Sequence, residues 1–457
     1  MDLRYGTHGR IPVAMTIAGS DSGGGAGIEA DLKTFAALGV HGTVALTAIT
    51  AQNTYSVTGV QDVELEIIAK QIDAVAEDLG IDAAKTGMLH TSEIIRLVAE
   101  KVKEYGFPLV VDPVMIAKSG APLLKKEAVK TLIEVLIPIA TVITPNIPEA
   151  EVITGLKIED KGDMLKAAKR IVELGPKAVV VKGGHAKGMF SIDILYHEGE
   201  VIEFKSPRYE VKTTHGTGCS FSAAIAAELA KGKDVVSAVK MAKKLISLGI
   251  RYGIPVGKGH GPVNPMAILY KEAAKYSVLR RVFNALMKLE EIPNISRLVP
   301  EVGMNLAEAI PYAEDMGDVV AVPGRVRSSR NGRIFWSCPD FNASSHLARY
   351  IMKAMEYDPS IRAAINVRFN RNFIEAAEKL GFKVSYYDRR EEPPEVKAVE
   401  GMTVQWGLEQ AIKRIGCLPD VVYHEGDWGK EPMIVVFGCD AVDVVNKVAK
   451  IWSSIEE

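Results

Sequence analysis

From Val13 to about Met266 the chain alternates short β-branched runs with longer helical stretches, and few folds accommodate that pattern. Candidate strands are Val13–Ala18, Thr43–Thr47, Leu109–Val111, Thr141–Thr144 and Ala178–Val181. Several are apolar without interruption, as a sheet covered on both faces requires, and each runs into Gly, Pro, Asp or Asn at its C-terminal end. The predicted class is α/β, a mostly parallel sheet covered by helices, in which ligands bind beyond the carboxyl ends of the strands. Helix boundaries are legible too. Thr91 or Ser92 can cap Glu93–Tyr105 ahead of Gly106, and Pro148 can open a helix containing Glu149 and Ala150.

The breakers crowded between Gly257 and Pro265 end this first pattern, which sets a first domain at 11–266. A helical stretch at 267–290 reads as a linker or bridging helix, and a second, mixed α/β domain is expected over 277–457. At roughly 150 residues per domain, 457 residues leave room for two sizeable cores. Lys and Arg total 55 against 57 Asp and Glu, so no whole-molecule field draws the protein to nucleic acid or a membrane. The four cysteines include no Cys-x-x-Cys pair, which argues against zinc and against a disulfide framework. Met1 to Arg10 lacks a signal-peptide core, and no apolar run is long enough to span a bilayer. A cytoplasmic enzyme acting on small molecules is expected.

Two glycine-rich turns carry the chemistry of the first domain. Gly19-Ser20-Asp21-Ser22-Gly23-Gly24-Gly25-Ala26-Gly27 joins a strand to a helix predicted from Ile28 through Leu38. Glycines there let backbone approach a ligand, although a tight connection reads the same way. Neither the Walker nor the dinucleotide spacing is present. The turn Thr213-Thr214-His215-Gly216-Thr217-Gly218-Cys219 precedes an Ala-rich helix whose first amides and dipole would face an incoming anion. Cys219 at that positive end is either a thiol with a lowered pKa, able to take a proton, or a buried structural cysteine. Asn146 and Glu149 stand three apart where a helix begins, which suits a hydrated Mg²⁺ or simply a helix cap; Lys182 before Gly183-Gly184 suits a phosphate or solvent.

Taken together, Ala18-Gly19-Ser20-Asp21, Gly24-Gly25-Ala26-Gly27, Ala30-Asp31-Leu32-Lys33, Thr50-Ala51-Gln52-Asn53-Thr54, Lys85-Thr86-Gly87-Met88-Leu89, Val111-Asp112-Pro113-Val114-Met115 and His215-Gly216-Thr217-Gly218-Cys219 resemble the hydroxymethylpyrimidine/phosphomethylpyrimidine kinases of thiamine biosynthesis, of ribokinase-like fold. The resemblance implies ATP-dependent phosphorylation of 4-amino-5-hydroxymethyl-2-methylpyrimidine, twice, and a dimeric assembly. It also implies that Gln52 reads the aminopyrimidine edge, with Asp31, Ala26, Met88 and Val114 lining the pocket. An amide is donor and acceptor at once, as that edge demands. Gly216, Gly218 and Cys219 would form the anion hole, with Cys219 where many sugar kinases of the superfamily carry an aspartate. Asp112 and Glu149 would organise Mg²⁺, with Asn146, and Lys182, Thr214 and Gly184 would meet ATP. The loop departs from the family at Ser22, Gly23 and Glu29, where Pro, Ser and Gln are usual, and the added glycine should make it costlier to order.

The second domain gathers Arg325, Arg327, Arg330 and Arg333 in one loop, which suits a small phosphorylated ligand, a nucleic acid or solvent. Ser344 can cap a helix with Leu347, Ile351 and Ala354 on one face and His346, Arg349 and Lys353 on another. At that positive helix end His346 should lean toward neutral. The motifs Pro300-Glu301-Val302-Gly303-Met304-Asn305, Val322-Pro323-Gly324-Arg325, Ala343-Ser344-Ser345-His346, Glu400-Gly401-Met402-Thr403 and Gly426-Asp427-Trp428-Gly429-Lys430-Glu431-Pro432 resemble the archaeal-type thiamine-phosphate synthase domain. That resemblance implies condensation of the pyrimidine diphosphate with thiazole phosphate, with Arg325 and His346 catalytic. Two rivals stand beside this reading. One is a vitamin kinase for another substrate such as pyridoxal, against which Gln52 and Cys219 speak; the other makes the second domain a ligand sensor.

Overall fold

The structure is a computed structural model describing residues 10–116, 123–184, 188–399 and 401–456. Glu400 of the motifs above lies outside the described residues. Two compact units make up the chain, one ending at Leu269 and the other beginning at Tyr270. Among the described residues no helix is long and apolar enough to cross a membrane.

The first unit contains β1 (Val13–Ala18), β2 (His41–Leu46), β3 (Ala48–Gln52), β4 (Val57–Asp62), β5 (Ala83–Thr86), β6 (Leu109–Val111), β7 (Val142–Ile143), β8 (Ala178–Val181), β9 (Phe190–His197) and β10 (Glu200–Pro207). Its main sheet runs β10-β9-β8-β7-β6-β5-β1-β2. Neighbours from β8 to β2 are parallel, and β9 and β10 add an antiparallel edge. Every residue of β1, β5, β6, β7 and β8 is buried, which is why these runs show no polar alternation. Strands β3 and β4 form a separate hairpin that carries Gln52.

The helices end where their side chains allow. Thr91 caps Ser92–Tyr105, which stops at a left-handed Gly106. Asn146 and Glu149 close a capping box at the start of Ile147–Thr154. The Ala-rich helix starts at Thr217, with Gly216 in the left-handed conformation as its N-cap.

The helix Ala267–Glu290 is unbroken, and Val278, Val282, Leu286 and Leu289 along it belong to the core of the second unit. That unit contains β11 (Asn305–Ala309), β12 (Val319–Ala321), β13 (Arg327–Ser328), β14 (Ile334–Phe335), β15 (Asp340–Phe341), β16 (Ala363–Arg368), β17 (Val384–Tyr386), β18 (Val421–His424) and β19 (Met433–Gly438). Its sheet runs β15-β12-β11-β16-β19-β18-β17, antiparallel except for the β17–β18 pair. Ser344 caps the helix Ser345–Tyr357, so His346 does sit in a first turn.

Candidate active sites

In the first unit a cavity of about 600 Å³ opens at the carboxyl ends of the parallel strands. Ala26, Gln52, Met88, Asp112, Val114, Asn146, Glu149, Lys182, Gly184, Thr214, Gly216, Gly218 and Cys219 all line it. Asp31 does not. It is wholly buried, accepting hydrogen bonds from Thr16 Oγ1 (2.7 Å) and from Lys85 Nζ (2.7 Å). Lys85, equally buried, is the partner that reaches the cavity. Burial works against the Lys85 charge, yet Asp31 in particular holds its pKa above the ordinary lysine range.

The two glycine-rich turns interlock. Gly216 has φ +77°, and a Cβ there would sit 1.9 Å from the carbonyl oxygen of Gly25. A Cβ on Gly25 would in turn meet the His215 ring at 2.6 Å. The His215 Nε2 lies 2.8 Å from Asp21 Oδ2 and 3.3 Å from the Gln52 side-chain nitrogen, so one imidazole touches both the loop and Gln52. Burial opposes the Asp21 charge, but His215 and the amides of Gly23 and Ala26 hold its pKa below the usual carboxylate range.

The unusual loop residues are bonded too. Ser22 Oγ donates to the Gln52 carbonyl (2.7 Å) and accepts from the Gln52 amide (2.8 Å), and Glu29 accepts from the Asp21 amide (2.8 Å). Ser22 and Glu29 therefore tie down a loop that glycine content alone would loosen.

Lys182 Nζ donates to Asp112 Oδ1 at 3.0 Å. Glu149, buried with Asp112 and Lys182 nearby, has its pKa raised by desolvation. Asn146 Oδ1 and Glu149 Oε2 are each bonded to the other's amide, the Met115 amide also bonds the Glu149 carboxylate, and Asp112 Oδ1 is bonded to Lys182, which leaves few free carboxylate atoms here. No group of three or more His, Cys, Asp or Glu able to hold a metal exists among the described residues. This donor set fits a hydrated Mg²⁺ carried largely by nucleotide phosphates, not a protein cage.

For Cys219 the sequence leaves a lowered thiol pKa and a buried cysteine open, and the pKa direction follows burial. Burial pushes its thiol up to about 11, because the cost of desolvating a thiolate outweighs the nearby Lys85 charge and the helix end.

In the second unit, Arg325 follows a Pro323-Gly324 turn and itself adopts φ +67°, its guanidinium donating to the Val302 carbonyl at 2.6 Å. Gly303 makes room for it, since a Cβ there would lie 3.1 Å from the Arg325 Cβ. The arginine loop is not one patch on His346. Arg325, Arg327, Arg330 and Arg333 are all exposed, and of these it is Arg325 that acts on His346, together with Arg389 and Arg349 from elsewhere in the chain. Sequence reasoning missed Arg389 and also His424 on β18.

Burial, with those arginines, lowers His346 to about 4, and burial with Arg389 and His346 lowers His424 to about 3. The sequence expectation of a neutral His346 agrees with this direction, with burial as the larger cause. The unfolded chain takes up protons below about pH 6.5 and the folded unit does not, so stability is full above that pH and declines toward pH 4. Each histidine is expected to cost about 2 kcal/mol at pH 5. Thermal unfolding at pH 7 and pH 5 checks this, and His424→Gln should remove roughly half of the pH-dependent loss.

A parallel sheet with a glycine-rich turn opening a helix, a Lys–Asp pair and a cavity at its carboxyl edge fits a phosphoryl-transfer enzyme of ribokinase-like fold. The family model for phosphomethylpyrimidine kinase matches residues 21–264, and the chain belongs to that family. The model for thiamine-phosphate synthase ThiN matches residues 281–450.

The chain is 50% identical over 256 residues to the hydroxymethylpyrimidine/phosphomethylpyrimidine kinase of Bacillus subtilis, covering 56% of this chain and 94% of that protein. It is 50% identical over 251 residues to the thiamine biosynthesis bifunctional protein ThiED of Geobacter sulfurreducens, covering 55% of this chain but 51% of that one. Among solved structures, an ADP complex of Bacillus subtilis pyridoxal kinase is similar at 41% identity and TM-score 0.54, over 57% of this chain and 99% of that chain. Staphylococcus aureus pyridoxal kinase with AMP-PCP and pyridoxal is similar at 37% identity and TM-score 0.53, over 57% of this chain and 95% of that chain. The protein is a bifunctional thiamine-biosynthesis enzyme, a hydroxymethylpyrimidine and phosphomethylpyrimidine kinase joined to a thiamine-phosphate synthase domain.

Proposed function

We propose that the residues lining the first cavity transfer the γ-phosphoryl group of ATP to the hydroxymethyl oxygen of the pyrimidine, and then to the monophosphate so formed. The observation carrying this reading is the left-handed Gly216 turn, which sets the first amides of the helix Thr217–Ala230 at the cavity edge, beside Asp112 and Lys182. Gln52 orients the ring, and Lys182 with Thr214 and Gly184 holds the nucleotide. Mg²⁺ would be held by Asp112 and Glu149 and, when bound, neutralises charge on the phosphate oxygens. With burial pushing its thiol up to about 11, Cys219 would orient the attacking hydroxyl and not serve as its base. A loose transition state for phosphoryl transfer asks little of a base.

In the second unit the thiazole nitrogen attacks the pyrimidine methylene, forming the C–N bond as the C–O bond to diphosphate breaks, and Arg325 and His346 stabilise the departing anion. Supplying the hydroxymethylpyrimidine, ATP, Mg²⁺ and thiazole phosphate should yield thiamine phosphate; a kinase product without coupling would favour the sensor reading. Because pyridoxal kinases share the fold, pyridoxal belongs in the same assay as a competing acceptor.

The two halves are expected to separate by mutation. Cys219→Ala should lower phosphorylation about 10- to 100-fold and spare coupling from supplied diphosphate, and His346→Ala should do the reverse. Loss of both activities in both folded variants would contradict this division.

A further inference from the structure

Four buried or half-buried rings run in series through the second unit. His346 meets Tyr350 edge-on at 5.3 Å, the Tyr350 and Tyr387 hydroxyls are 2.7 Å apart, and Tyr387 lies 5.1 Å from His424. Two glycines of the helix Met402–Ile415 and its cap shape this array. A Cβ at Gly407 would collide with the Tyr387 ring at 2.6 Å, and one at Gly401 would lie 2.2 Å from Arg349 Nε.

Around the rings stand Arg325, Arg349 and Arg389. Among the described residues their one ion-pair partner is Glu392, 3.8 Å from Arg389. Two buried polar atoms here have no hydrogen-bond partner among the described residues, His346 Nε2 and Arg389 Nε. Unpaired buried polar atoms are costly unless a ligand satisfies them, and with Arg325 exposed and Arg349 and Arg389 half-buried these charges remain open to one.

We propose that Arg389, Arg349 and His424 complete, with Arg325 and His346, a seat for phosphoryl oxygens, and that its occupant is the diphosphate group of the pyrimidine substrate. Three guanidiniums match a polyanion better than a single phosphate ester, and an arginine binds phosphate oxygens in pairs. The unfilled Arg389 Nε and His346 Nε2 are the atoms left to engage it. This deepens the synthase reading and rests on it.

The test uses the full chain, supplied pyrimidine diphosphate and thiazole phosphate, and inorganic pyrophosphate as inhibitor. Arg389→Gln should raise the pyrophosphate inhibition constant and the KM for pyrimidine diphosphate together, each by about tenfold or more, while the KM for thiazole phosphate changes less than about twofold. Arg389→Lys should recover part of the loss, and His424→Gln should move the same two constants in the same direction, which guards against misfolding of one variant. Unchanged pyrophosphate inhibition in both Arg389→Gln and His424→Gln would overturn the proposal. A rise confined to the KM for thiazole phosphate would overturn the diphosphate assignment. Wild-type protein that forms no thiamine phosphate at all would instead defeat the underlying synthase reading.

Discussion

A Gly216→Ala chain is expected to lose at least about a hundredfold in phosphoryl transfer while still forming thiamine phosphate from supplied pyrimidine diphosphate. The added methyl group has nowhere to go, since its ideal position is 1.9 Å from the Gly25 carbonyl oxygen and the residue holds φ +77°. Either the turn unwinds or the glycine-rich loop retreats. Both displace amides from the cavity edge, and a single misplaced oxyanion donor commonly costs 10²- to 10³-fold. Denaturant unfolding of the first unit serves as the folding control, and coupling activity shows that the second unit is intact. Kinase activity within about threefold of wild type would show that these amides do not face the transferred phosphoryl group.

Lys85→Met is expected to destabilise the first unit by about 3–5 kcal/mol, the usual consequence of removing one member of a buried ion pair. Its ammonium and the Asp31 carboxylate are 2.7 Å apart with no exposure on either side. One Asp31 oxygen already lacks a partner, so losing Lys85 leaves the carboxylate held by Thr16 alone. The double variant Lys85→Met/Asp31→Leu should recover most of the loss, because an apolar pair removes the uncompensated charge as well as the bond. Denaturant unfolding of the single and double variants decides it. Equal destabilisation of the two would mean that the lysine acts by filling space.

What could be read from the sequence followed from local rules. Uniform burial wrote β1, β6 and β8 as apolar runs, and caps such as Thr91, Asn146 and Ser344 marked helix starts. Strand β5 escaped because Ala-Ala-Lys-Thr puts a charge in the middle of the sheet, which only a partner 54 residues away makes tolerable. Its signal was present in the Lys85-Thr86-Gly87-Met88 motif, and Asp31 in its own motif was the other half. The sequence left the Cys219 thiol open between two readings for a different reason: helix-end electrostatics can be inferred from chain order, desolvation cannot. Arg389 and His424 sit in stretches with no pattern of their own, and only folding brings them to His346.

The mutual insertion of the Gly25 and Gly216 turns bears on how such kinases can be re-engineered. Neither turn has a shape of its own; each is the mould of the other. Transplanting one segment from a homologue with a different acceptor should leave a gap or a clash at the seam, so changes of specificity have to move both segments as a matched cassette.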